Sequence, residues 1–333
     1  MELNDIYLLL GGVILLWILY IYWYSEWYNR PCIFPSIEYR YSLATSKHVR
    51  TYLNEIPQTT YSFKVPNYDP RTSTYPFLGE YMKMLKPVDE KYHDFLNRCF
   101  SKIYKEYMNE YNVPTRYWKC MMSEDGFEMN MPFTLHDVIV LPKKKLEFHS
   151  RQSYISISWL TTLIHEMIHI AQRENPSIVY TWTRHNLPFI RNITSAEYLL
   201  FQRMTYMDYM TNPDSNHQLV TYEIDNRVSY IPYLRVVKNS RAMSSQVEEY
   251  AMSTETGSKV DLETGIYPIL NNKVFPLHDY YRRSKEENIH ISWYHPNEIQ
   301  ACVLADDIIH KRKWRLEEDT LLNTQSIQKL FRV

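Results

Sequence analysis

From Trp159 to Gln172 the apolar positions recur with a helical period. Trp159, Leu163, Met167 and Ile170 form one row, and Leu160, Ile164, Ile168 and Ala171 form another. Thr162, His165, His169 and Gln172 fall on the remaining, polar side. The pattern predicts an amphipathic helix capped by Ser158 and stopped at Asn175-Pro176. The same period over Asp89–Tyr111, carried by Tyr92, Phe95, Leu96, Cys99, Ile103 and Tyr107, predicts a long packing helix. Thr194 and Glu197 have the spacing of a capping box, opening a helix to about Thr211 that stops at Asn212-Pro213. Pro296 suits a first helical position, and Ile299, Val303, Leu304, Ala305 and Ile308 continue from it at helical spacing.

Strand-like runs lie between these helices. Residues 118–122 and 127–131 flank a turn at Glu124-Asp-Gly126, and 135–141 follows. Residues 154–158 alternate briefly, and 219–238 holds two or three strands. Residues 239–290 look loop-rich, and 29–88 is broken by prolines, with a short helix near 43–55. The fold class expected is α+β, a small sheet followed by helices.

Ile6–Tyr24 is an uncharged run long enough to span a bilayer at about 1.5 Å per residue. Tyr and Trp crowd its C-terminal end, as in an interfacial belt, and no small-residue cleavage site follows. Three segments are expected: a transmembrane anchor (1–28), a Tyr/Pro-rich segment with an amphipathic helix (29–115), and the main domain (116–333). Arg30, Arg40 and Lys47 follow the span while Glu2 and Asp5 precede it, which places the bulk of a single-pass protein on the cytoplasmic side. A net charge of −1 argues against a general nucleic-acid binder. Cys32, Cys99, Cys120 and Cys302 form no C-x-x-C pair, so neither a disulfide framework nor a cysteine metal site is indicated.

The polar side of the first helix carries the chemistry. His165-Glu166-Met-Ile-His169 reads H-E-x-x-H, and histidines four residues apart on one helix face reach one tetrahedral ion. Glu166 is then placed as general base for a metal-bound water. Two polar residues on a mostly buried helix serve equally well as satisfied core histidines, so the motif needs a third ligand. Glu298, in the first turn after Pro296, is the foremost candidate. An acid there also stabilises its own helix through the dipole, but Ala301 and Ala305 on its side permit close approach to the motif helix. His295 is the alternative ligand or a transition-state partner, and His136, His149 and His185 are weaker ones. Tyr222, Tyr230, Tyr294 and His295 are candidates for stabilising an oxyanion. The run His310–Arg315 reads as a basic, solvated helix end.

His165, Glu166 and His169 with a distant Glu298 and Ala301 resemble the gluzincin branch of zinc metallopeptidases. The combination Ile-His-Glu-Met-Ile-His-Ile-Ala-Gln-Arg, Asn-Leu-Pro-Phe, Thr-Asn-Pro-Asp and His-Pro-Asn-Glu is also similar to uncharacterised peptidase-like proteins of large DNA viruses. The resemblance implies a zincin-like domain, Zn2+ on His165, His169 and Glu298, and hydrolysis of a peptide or protein substrate, with a virion or membrane-complex setting. Its rival is a scaffold membrane protein of a virus particle with a zincin-like fold and a non-catalytic site. One departure stands out: many gluzincins place Asp four residues after the Glu ligand, and here that residue is Cys302.

Overall fold

The computed structural model describes residues 31–69, 71, 76–205, 209–214, 219–225, 228–236, 247–270, 275, 277–278, 280, 294–310 and 325–331. The expected span at 6–24 and the basic run beyond His310 lie outside them. Among the described residues no helix is long and apolar enough to cross a membrane.

The chain is a mixed α+β protein built on two sheets. In order it forms β1 (Cys32–Ile33), α1 (Tyr39–Thr45), α2 (Lys47–Glu55), α3 (Tyr61–Lys64), α4 (Phe77–Lys83), β2 (Leu85–Pro87) and α5 (His93–Lys102). There follow β3 (Trp118–Ser123), β4 (Phe133–Leu135), β5 (Val138–Pro142), α6 (Lys143–Ser150), α7 (Ile157–Glu174) and α8 (Pro176–Asn186). Then come β6 (Ile190–Asn192), α9 (Ser195–Thr205), β7 (Tyr209–Met210), β8 (Val220–Asp225), β9 (Val228–Val236), β10 (Val247–Ser253), β11 (Lys259–Asp261), α10 (Tyr267–Leu270) and α11 (Pro296–His310).

Sheet one runs β1-β3-β5-β4, with β2 on the same side of β3 as β1. Its strands alternate between two cores. Cys120, Met122, Ile139 and Leu141 face α5, α7 and α11, while Met121, Val138 and Val140 face the layer made by α1, α2 and α4. Both faces are covered, so β5 is buried at every position. The boundary drawn at residue 115 is crossed by β1 pairing with β3 and by α5 sharing a core with α7. Sheet two, β11-β10-β9-β8-β6 with β7 also on β9, is antiparallel throughout. Helix α11 lies between the two: Ala301, Leu304, Ala305 and Ile308 enter the first core, and Ile299 and Val303 enter the core under sheet two.

Several expectations change. The N-cap of α7 is Ser156, whose Oγ accepts from Trp159 N, because the helix starts earlier than the apolar rows suggested and takes Ser158 into its first turn. Residues 154–156 are accordingly not a strand. Asn175 does end α7, but Pro176 immediately starts α8. The segment 135–141 splits at His136-Asp137, where His136 takes φ 59 and β4 folds back on β5. The helix expected over Asp89–Tyr111 is regular only in α5 and then widens into a π-helical stretch over Ile103–Met108. The helix opened by the capping box is described over Ser195–Thr205, and Tyr209–Met210, expected within it, form strand β7 instead. Within the loop-rich 239–290, β10 forms against β9, which supplies the pairing its own sequence does not advertise.

Residues 127–131 are not a strand. Glu128, Met129 and Asn130 adopt left-handed φ of 43, 57 and 58. Such residues each cost roughly 1–2 kcal/mol. The compensation is the buried Glu128 carboxylate, which takes Lys64 Nζ at 2.6 Å and the hydroxyls of Tyr52 and Tyr81 at 2.8 and 2.7 Å.

Candidate metal centre

Helix α7 puts His165 and His169 one turn apart on the face that meets α11. Ala171, Ala301 and Ala305 are fully buried in the same core, so the two helices approach closely where their side chains are small. That approach brings the first turn of α11, and Glu298 with it, against the histidines.

His165 Nε2 and His169 Nε2 lie 2.9 Å apart, and Glu298 Oε2 lies 3.3 and 3.5 Å from them. The circle through these three atoms has a radius of about 1.9 Å, just inside the roughly 2.0–2.2 Å that separates zinc from N and O donors. One ion near the centre of that triangle therefore reaches all three. Among the described residues this is the group of His, Cys, Asp and Glu able to hold a metal. Two imidazoles and a carboxylate form a donor set that catalytic zinc sites use. His169 is sealed, with 0% side-chain exposure, whereas His165 retains 20%, so solvent reaches the triad from the His165 side.

The shell behind the candidate ligands rests chiefly on Gln172 and Asn212, to which the sequence pattern gave no such role. Gln172, one turn after His169, accepts from His169 Nδ1 at 2.9 Å. Its Nε2 donates to Asn297 O and Gln300 Oε1, both at 2.9 Å. This amide fixes the His169 tautomer with Nε2 free for metal and clamps α7 to α11. Asn212 Nδ2 donates to Glu298 Oε1 at 2.9 Å and to Tyr294 OH at 2.6 Å. One carboxylate oxygen of Glu298 is thus occupied and the other is left for the histidines. Asp214, two residues on, accepts from Thr134 N at 2.9 Å and from its hydroxyl, and Arg173 Nη1 lies 3.7 Å away. Cys302 occupies the place of the absent Asp: its Sγ is 3.7 Å from His165 Nδ1. Asp306 instead faces His310. The four cysteines are all free.

Glu166 is 4% exposed, and its Oε2 has no hydrogen-bond partner. Burial, reinforced by Asp214, pushes its carboxyl up to about 8. Burial works against the charged form of His169, but the Glu298 and Asp214 carboxylates together outweigh it and raise that imidazole. His165 is raised well above its ordinary value in the same way, by Cys302 and Glu298 acting against burial. Burial opposes the Glu298 anion, yet His169 and His165 hold it well below the usual carboxylate range.

The other candidates lie elsewhere. His295 Nδ1 accepts from Asn297 N at the start of α11 rather than joining the triad. His149 stacks on Trp159, His136 sits in the β4–β5 turn, and His185 is exposed on α8. Of the tyrosines named for an oxyanion, Tyr294 alone touches the site, through Asn212, and Tyr222 is buried under sheet two. Tyr294 and His295, with Asn212, help to line an open cleft whose walls also include Glu55, Tyr198, Tyr209 and Tyr233. Only weak signals pointed to Gln172 and Asn212: a polar residue at i+3 from a ligand, and an Asn-Pro step that reads as a helix stop. Compared with known protein families, with curated proteins and with solved structures, the chain matches none.

Proposed function

We propose that the chain is a zinc-dependent metallopeptidase of gluzincin type that hydrolyses peptide bonds in a peptide or protein substrate. The observation that carries this reading is the convergence of His165 Nε2, His169 Nε2 and Glu298 Oε2 beside the buried, unpartnered Oε2 of Glu166. His165, His169 and Glu298 hold the ion. Zinc held there supplies Lewis acidity, which acidifies water and polarises a peptide carbonyl. Glu166 takes the proton from the attacking water and returns it to the amine as the C–N bond breaks. A carboxylate within reach of that water is the side chain suited to accept a proton and give it up again. Gln172 keeps His169 in the ligating tautomer, and Asn212 keeps Glu298 Oε2 turned inward. The run at 6–24 anchors the protein to a membrane in this reading, with the site on the cytoplasmic side.

A second reading, a scaffold protein of a virus particle or membrane complex with a non-catalytic centre, is favoured by one observation. The outward amide of edge strand β4, at Thr134, already bonds Asp214. In zinc peptidases such an edge commonly receives extended substrate. Zinc analysis of the purified chain beside Glu298→Ala separates the cases. About one zinc per chain, lost in the variant, supports the centre, and equal zinc in both overturns it. Peptide hydrolysis that survives Glu166→Gln overturns the catalytic assignment. Zinc bound with no peptide cleaved favours the scaffold.

A further inference from the structure

The ligand Glu298 is tied to a buried ion pair on the far side of sheet one. The tie is the segment Tyr209–Asp214, which leaves sheet two as β7 and reaches the edge of sheet one. It is pinned at each step. Tyr209 OH donates to the Glu55 carbonyl at 3.1 Å, and Met210 pairs with Leu234 on β9. Lys64 Nζ donates to the Thr211 carbonyl at 2.7 Å. Asn212 then gives its amide to Glu298, its Oδ1 accepts from Asp214 N at 3.0 Å, and Asp214 holds Thr134.

Lys64 is 1% exposed, and its charge is met by Glu128, which the left-handed turn at 128–130 aims inward. A buried ion pair contributes little net stability over apolar residues of similar size. What it does supply is a donor fixed in position, and the atom that receives it is the carbonyl one residue before Asn212.

Resting on the metal-centre reading, we infer that Lys64 is a positioning residue for that centre. By holding Thr211 O it directs the Asn212 amide onto Glu298 Oε1 and so leaves Oε2 facing the histidines. The layer formed by α1 to α4 is thereby a working part of the site, although none of its side chains belongs to the triad.

A double-mutant cycle on cobalt(II) binding tests this. The variants are Lys64→Met with Glu128→Gln, Asn212→Ala, and the three substitutions combined. Replacing both members of the ion pair leaves no orphaned charge and keeps an acceptor for Tyr52 and Tyr81. The paired variant and Asn212→Ala are each expected to lower cobalt affinity about 10-fold or more. Both shift the visible cobalt spectrum in the same sense, and the combined variant binds no more weakly than Asn212→Ala alone. Wild-type affinity and spectrum in the paired variant overturn the proposal, and so does a loss that multiplies in the combined variant. If the paired variant does not fold, Lys64→Arg replaces it in the cycle, keeping the charge but displacing the donor from Thr211 O, and wild-type cobalt binding there is equally fatal. A wild-type chain that takes up no cobalt or zinc overturns the metal centre itself, and that outcome is distinct from a metal-binding chain indifferent to Lys64.

Discussion

The two halves of the candidate triad are held by different kinds of contact. The histidine half is local: both histidines and Gln172, the partner of His169, belong to one helix within two turns. The glutamate half is assembled from afar, since Glu298 is held by Asn212, on the segment that follows β7. A local arrangement survives as long as α7 does. A remote one depends on everything that positions the segment 209–214. The centre is therefore expected to fail first at Glu298 and last at His169.

The strongest way to break the comparison is to separate the halves mechanically. Ala305 is fully buried in the core shared by α7 and α11. Ala305→Leu overfills it at a cost of about 1–3 kcal/mol in folding stability. It is expected to abolish metal binding while circular dichroism still reports a folded chain, and unchanged metal affinity would show that the glutamate half tolerates displacement. Gln172→Ala comes next. It strips His169 Nδ1 of its acceptor and Asn297 O of a donor, and a 10- to 100-fold fall in zinc affinity by competition titration is expected.

Acidity acts on both halves together. The ordinary His value is near 6.5, and both histidines are raised above it in the metal-free chain against the effect of burial, by Glu298 and Asp214 for His169 and by Cys302 and Glu298 for His165. Protons therefore compete with metal to higher pH than for free histidines. Zinc affinity should still climb, by up to about tenfold per pH unit per proton displaced, as pH rises above 6.5. Calorimetry in two buffers of different ionisation enthalpy measures those protons, and an affinity flat above pH 6.5 refutes the expectation. The smallest effect is expected at Cys302. A thiol sulfur 3.7 Å from His165 Nδ1 is a weak acceptor, so Cys302→Ala should change zinc affinity by less than about tenfold. Cys302→Asp, by contrast, should raise it, and a larger loss in the alanine variant than in Gln172→Ala would invert the ranking.

The same division explains what could be read in the chain. The H-E-x-x-H turn, the apolar rows around it and Pro296 ahead of Glu298 are short-range patterns, and α7 and α11 formed where these put them. The capping box was equally legible: Thr194 and Glu197 bond reciprocally, and Arg191 adds an ion pair. Residues 127–131 were misread because their conformation answers to Lys64, Tyr52 and Tyr81, all remote in sequence. Asn212 stayed hidden for the same reason, since an Asn-Pro step says helix stop and nothing local says that its amide will find Glu298. The α+β class was legible. The division into two sheets was not, because β7, β10 and β11 are defined by their partners.

Helix α11 is buried at every position from Pro296 to Ile309 except the half-buried Cys302, and it closes the core of sheet one and the core of sheet two at once. It packs on both, and its partners on α7 are distant in the chain. Long-range contacts slow folding, because the chain between them must be ordered first. Glu298 is thus expected to reach the histidines after α7 itself has formed, so metal uptake by a refolding chain should lag behind the gain of helical signal.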